Sequence, residues 1–336
     1  MEAHARRSLV LIRACTLLKS LCSLGDLRNV AIASQAIELC AQGMDTHPEV
    51  AAVQSSAALL LRTLCVSQEY KLRAVAAGAP EILVSAMTSH LNVLDVQISC
   101  CGTLKSLAMH PSCRDECVMS GAIDSVVAAL RVHAYNAAIA EEACGALCNL
   151  TIDAFARKKN ISVSGGILAV SAAMRCHLSN VEVQEAGCAA LWSLSDADRK
   201  NPQHMATGGA AEAVVTAMNM HGNNVPVQAV GCAAFKCFAE IGNGAVVAAA
   251  GGVETLINCL RVHGAVAAIQ ETGLDALVLL IDSQPSVGEL ALEGGAIEVA
   301  EAAVRTRFPN HAGVQRAGHA VLDRMPSGGS ASVSLF

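Results

Sequence analysis

Gly121 to Leu150 reads GAIDSVVAALRVHAYNAAIAEEACGALCNL, and Gly165 to Leu194 reads GGILAVSAAMRCHLSNVEVQEAGCAALWSL. Each stretch opens on glycine, carries a histidine 12 residues later and ends on two leucines three residues apart. The histidine measures the whole chain: His4, His47, His90, His133, His177, His221 and His263 are separated by 43, 43, 43, 44, 44 and 42 residues, and Phe308 follows 45 residues on. A fixed period of this size marks a stack of supersecondary units that bury their apolar faces against one another.

Other positions keep the same step. Seven residues after the His stands Gln54, Gln97, Gln184, Gln228, Gln270 or Gln315, with Ala140 departing. Eleven residues after it stands Cys15, Ala58, Cys101, Cys144, Cys188 or Cys232, then Leu274 and His319. Apolar pairs such as Leu104 and Leu107, or Phe235 and Phe238, follow at three-residue spacing, the stripe of one buried helical face. Upstream lie Gly78-Ala79, Gly121-Ala122, Gly165-Gly166, Gly208-Gly209, Gly251-Gly252 and Gly294-Gly295, where a left-handed glycine can end one helix and start the next at an angle. Each unit therefore reads as short helix, Gly corner, middle helix, His-bearing loop, long helix.

Composition agrees with thin stacked layers. The 336 residues are 53% hydrophobic but 2% aromatic, with 26 Gly, 15 Cys and one Trp. Mean hydropathy is +0.44, yet no uninterrupted apolar run reaches the roughly 18 residues needed to cross a bilayer, which argues against membrane insertion. Small fillers let helices approach closely. With 23 Lys plus Arg against 29 Asp plus Glu, the chain lacks the basic footprint of a nucleic-acid binder. Arg157, Lys158 and Lys159, the one short basic run, read as a solvated helix face. An odd number of cysteines at helical core positions suits a reducing compartment, so the expected location is the cytoplasm, with the nucleus also open. The sequons at Asn149 and Asn160 then read as chance.

Three helices per unit, a period of 42 to 45 residues and the Gly corner resemble the armadillo repeat family, and the pattern of Val-Gln-x-x-Gly-Cys after the loop His is similar to the armadillo repeat-containing protein six type of array. HEAT repeats are the nearest rival; the Gly corner and short first helix favour armadillo. The resemblance implies an all-α, right-handed armadillo-type α-solenoid, an α-α superhelix of three-helix repeats. Residues 1–24 match a lone third helix, seven repeats follow at about 25–66, 67–109, 110–152, 153–196, 197–240, 241–282 and 283–325, and residues 326–336 form a small, polar tail expected to be disordered. The whole reads as one quasi-linear domain.

No catalytic motif stands in the chain: GxxxxGK[ST], HExxH and GxSxG are all missing. The recurring histidines should lie about one helix spacing, roughly 10 Å, apart, too far to share a metal, and are expected to close the middle helices through their last carbonyls. Cys113 and Cys117, or Cys144 and Cys148, lack the spacing of a metal site and read as core filler. The expectation is a protein without enzymatic activity, cofactor or metal.

The resemblance also implies that third helices line a concave groove. In nuclear import receptors of the family that groove carries Trp and, four residues later, Asn. Here the Asn register holds Thr63, Ser106, Asn149, Ser193, Cys237 and Leu279, and the Trp register holds Gly102, Gly145, Ala189, Ala233 and Asp275, which speaks against recognition of nuclear-import peptides. Trp192, one residue before the Asn register, reads either as a partner anchor or as packing on the next repeat. Acidic residues at Asp153, Asp196, Glu240 and Asp282 suggest caps for the following short helices. Together with Glu141, Glu185 and Glu271 they suggest a mildly acidic groove suited to a basic or amphipathic, extended or helical protein segment. Two alternatives stand beside this scaffold reading: a nuclear transport adaptor, and the armadillo portion of a larger signalling protein such as a leucine-rich-repeat kinase.

Overall fold

The computed structural model describes residues 2–22, 29, 35–152, 165–198 and 202–325. Asp153, the Arg157 to Lys159 run, Asn160 and the 326–336 tail lie outside the described residues. Every element among the described residues is helical. They divide into two compact units, Met1–Lys200 and Asn201–Phe336, where the sequence suggested a single domain.

The first unit opens on the helix Glu2–Cys22, which packs on the long helix Ala51–Leu64. Leu94–Leu107, Ala137–Thr151 and Val181–Ala197 follow as long helices, each packed on the one before. The middle helices Ala36–Thr46, Ala79–Ser89, Ala122–Val132 and Gly166–Cys176 form a second row, with the short helices Gln68–Ala76 and Pro111–Met119 between them. In the second unit the long helices are Val225–Phe238, Ala267–Ser283 and Ala312–Arg324, and the middle helices are Ala210–Met220, Gly252–Val262 and Ala296–Glu301, the last continued by a π-helical turn, Ala302–Arg307. The helical stretch Val225–Ala249 is long and apolar enough to span a bilayer, but half of it is buried inside the fold and it bends at Gly242, φ 89°. Its buried side, with Val227, Cys232, Phe235 and Phe238, is a repeat core.

The corners behave as the sequence pattern requires: Gly78, Gly121, Gly165, Gly209, Gly251 and Gly295 all have φ between 70° and 91°. The corner of the first full repeat is Gln35, at φ 62°. No glycine marks that corner, so the pattern alone could not place it.

Six of the long helices are clamped to their own middle helices by the recurring glutamine, while Ala137–Thr151 carries Ala140 in that register. Gln97 Nε2 donates to the carbonyls of Met87 and His90, both at 2.9 Å. Gln54, Gln184, Gln228, Gln270 and Gln315 do the same in their repeats, satisfying helix-end carbonyls that have no partner within the helix. The histidines act differently from the expectation. The main-chain N–H closes the helix, as in His90 to Ala86 O at 3.0 Å, while the ring reaches one repeat back. Nε2 of His90, His133, His177 and His263 meets the carbonyls of Pro48, Leu91, Ala134 and Gly222 at 2.7–2.8 Å. A carbonyl only accepts, so Nε2 carries the hydrogen in each. The side chain thus latches neighbouring repeats rather than capping its own helix.

Candidate functional site

The long helices carry the candidate site, and the side chains that stitch them decide what is left for a partner. Thr103 donates to Ala58 O at 2.8 Å, Ser106 to Cys65 O at 3.1 Å, Asn149 to Lys105 O at 2.9 Å and Ser193 to Cys148 O at 3.0 Å. Within the Asn register, Ser106, Asn149 and Ser193 therefore staple their long helices to the preceding repeat. Ser193 is buried and also bonds Thr151 at 2.8 Å; Thr63, half-buried, bonds Leu59 O of its own helix at 2.9 Å. Ser193 does not reach the surface as a groove residue would, because it spends its hydroxyl inside the stack.

The register one residue earlier holds Arg62, Lys105, Cys148 and Trp192. Arg62 lies across Gly102 and Lys105 across Gly145: a Cβ at either glycine would strike the overlying side chain. The two cations converge on one carboxylate, with Arg62 at 2.6 Å and Lys105 at 3.4 Å from Glu142. Gly102 and Gly145 in the Trp register thus serve as floors for basic side chains on their way to Glu142, Arg62 crossing an intervening repeat and Lys105 reaching from the adjacent one. Trp192 is half-buried.

Glu141 and Glu185 remain. They sit eight residues after His133 and His177, one register on two packed long helices, and neither has an ion-pair partner among the described residues. Asp95 and Glu182 are exposed at the first turns of their own long helices. At the other ends of the first two long helices Val66 and Met109, 52% and 63% exposed, occupy one apolar register. The first unit's long-helix face is therefore acidic along the helix starts and basic and apolar along their ends. Val66 and Met109 escaped sequence reasoning, although their shared spacing from His47 and His90 could have paired them.

On the second unit's long helices, Glu271, Asp275 and Asp282 are each paired with a cation. Asp275 receives Lys236 at 3.0 Å and Arg316 at 3.0 and 3.1 Å, and Glu271 lies 3.6 Å from Arg316. Burial alone would push the Asp275 carboxyl up, but the bonds from Arg316 and Lys236 outweigh it and hold it below its ordinary range. Asp282 pairs with Arg324 at 2.7 and 2.8 Å, and Asp196 and Glu240 lie inside helical segments. All three therefore stand within helical segments rather than at the N-cap position of a short helix. Among the described residues the side chains that cap helix N-termini are Ser67 on a short helix and Asn136, Asn180, Asn224 and His311 on long ones. Cys237 is buried and so is not displayed on the face.

Thirteen of the fifteen cysteines are buried, Cys148 is intermediate and Cys176 exposed, and none is disulfide-bonded. Burial raises the thiols of Cys100 and Cys144 to about 12, which suits core filler and opposes nucleophilic use. Among the described residues no three His, Cys, Asp or Glu side chains gather in a way that could hold a metal.

A family model described as the LRRK2 ARM repeat matches residues 2–307. Among solved structures, an engineered protein from a structural-genomics consortium superposes with a TM-score of 0.70 at 22% identity, covering 90% of this chain and 71% of that one. A chain from a structure concerning a conserved phosphorylation switch that controls the interaction between cadherin and beta-catenin superposes with a TM-score of 0.75 at 16% identity. That match covers 94% of this chain, which spans 61% of the other. At these identities the likeness is one of fold. No curated protein sequence matches the chain.

Proposed function

Because this chain belongs to the LRRK2 ARM repeat family and folds as an all-α armadillo-type solenoid, we propose that it works as a non-enzymatic protein-interaction scaffold. Its occupant is a basic or amphipathic segment of a partner protein, laid across the long-helix face of residues 1–200. One observation carries the reading: Glu141 and Glu185 stand unpaired in one register on adjacent helices, while Glu142, Asp275 and Asp282 are neutralised by cations of the stack. Two uncompensated carboxylates near the half-buried Trp192, which lies seven residues and two turns beyond Glu185, offer a cationic helix charge complementarity and one aromatic anchor. Stacked helices present such a face preorganised, so affinity comes from many modest contacts. The cytoplasm, and the nucleus as well, is the proposed compartment, supported by fifteen free thiols.

Affinity capture with the wild-type chain and with Glu141→Gln/Glu185→Gln tests this reading. Partners lost only from the variant, at unchanged thermal stability, support the face; partners captured equally by both place binding elsewhere. Ser106 and Asn149 are unsuitable positions for such a variant, since each holds two repeats together. A second reading, that the chain serves as the armadillo portion of a larger signalling protein such as a leucine-rich-repeat kinase, is favoured by the family match itself. The nuclear-adaptor reading draws no support from a face whose Trp register holds glycine floors.

A further inference from the structure

Six residues after each histidine or its equivalent stands a β-branched residue: Val10, Val53, Val96, Ile139, Val183, Val227, Ile269 and Val314. Two turns further on stand Leu17, Leu60, Thr103, Ala146, Ala190, Ala234, Ala276 and Val321. From Val53 and Leu60 onward every one of these is at most 1% exposed. Val10 is 67% exposed and Leu17 60%, and Ala14 between them is exposed as well. The opposite side of the same helix, with Cys15 and Cys22, is buried.

What covers this strip in the other repeats is visible. Thr103 reaches the carbonyl of Ala58 on the preceding long helix. A Cβ at Gly273, in the register of Ala14, would meet Leu260 of its own middle helix and Cys232 of the preceding long helix. The strip is thus the stacking face of a repeat, and its counterpart is the small register of Ala58, Cys101, Cys144, Cys188 and Cys232. The closing helix Ala312–Arg324 ends its unit differently. His319 occupies that small register and is exposed.

We propose that the Val10–Ala14–Leu17 face of the opening helix is a docking surface for one further armadillo-type layer from outside these 336 residues, a long helix bearing small side chains with the middle helix that follows it. The face continues the interface that joins every neighbouring pair of long helices within each unit, which fixes the chemistry of its occupant. A second copy of the chain is a poor fit, because its closing helix offers His319 and its opening helix offers another branched strip, with its small-register residue Cys15 already buried.

The test places a copy of residues 51–89 directly ahead of His4, which stands in the register of His90, and compares the extended chain with the original. The expected result is a melting temperature raised by at least about 2 °C, with amide exchange over residues 8–18 slowed by about tenfold or more. In a Val10→Lys/Leu17→Lys background the unextended chain should melt as before, since both side chains are exposed, and the extension should bring no gain. No gain in the wild-type background, or an equal gain in both, overturns the proposal. Sedimentation of the unextended chain is the second arm: a dimer that Val10→Lys/Leu17→Lys converts to monomer assigns the face to a second copy and overturns it as well.

Discussion

Replacing Gln97 by Leu removes the clamp between one middle helix and its long helix without changing the side chain's bulk much. Gln97 is fully buried, and its Nε2 donates two bonds of 2.9 Å. Their loss is unequal in its consequences. The His90 carbonyl keeps the Val93 N–H at 2.9 Å, whereas the Met87 carbonyl has no other donor among the described residues. One orphaned buried carbonyl costs about 1–3 kcal/mol and the second bond about 0.5–1.5 kcal/mol. Against this, Gln97 Oε1 is itself buried without a partner, and leucine removes that penalty. The net expectation is about 1–3 kcal/mol of lost stability, read from urea unfolding followed by helical circular dichroism. Gln97→Glu sharpens the test, because a carboxylate cannot donate and would face two carbonyls; it should be worse than leucine at neutral pH. A glutamate variant as stable as wild type would refute the double-donor clamp.

Gly251→Ala should cost about 1–2 kcal/mol in thermal or urea unfolding from φ 89° alone, since nothing lies near the added methyl, and Gln35→Gly should raise stability by up to about 1 kcal/mol. His133→Ala, which breaks the 2.8 Å latch to Leu91, should lower stability by about 0.5–1.5 kcal/mol while leaving partner capture intact; selective loss of one partner at unchanged stability would contradict its structural role. The Asp275 carboxyl, held below its ordinary value of 3.8, contributes stability that is complete above that value and lost as pH falls through the folded value, so Asp275→Asn should flatten the acid limb of a stability-versus-pH curve. Iodoacetamide should label Cys176 first in the native chain and all fifteen thiols only after unfolding; rapid labelling of Cys100 or Cys144 would show that the stack opens.

The repeat register was legible because the period identifies equivalent residues: His133, Gly121 and Leu147 could be aligned with their counterparts without any structure. It does not say which neighbour each equivalent residue meets. The His133 ring bonds Leu91, 42 residues back, and Arg62 reaches Glu142 across an intervening repeat; both contacts depend on how layers are offset, which composition and spacing do not encode. The candidate groove suffered for the same reason. Ser106, Asn149 and Ser193 were correctly grouped, yet their short polar side chains find a carbonyl of the preceding helix before they find a partner. Glu141, Glu185 and Glu271 share one register in the sequence, and only the ion pair of Glu271 with Arg316 sets it apart from the other two. Gln35 shows a further limit: a non-glycine residue in a left-handed corner is invisible to a search for glycine pairs.

The central claim is that unpaired acids and one aromatic on the first unit's long-helix face receive a basic segment. Trp192 is the chain's single tryptophan, so its fluorescence reports on that face alone. The decisive measurement is a titration of the purified chain with a lysine- and arginine-rich amphipathic helical peptide and with its acidic counterpart, at low and high salt. The account predicts a saturable change in Trp192 fluorescence with the basic peptide, weakened by salt and by Glu141→Gln/Glu185→Gln. Tighter binding of the acidic peptide, or saturable binding of the basic one with unchanged Trp192 emission, would contradict it.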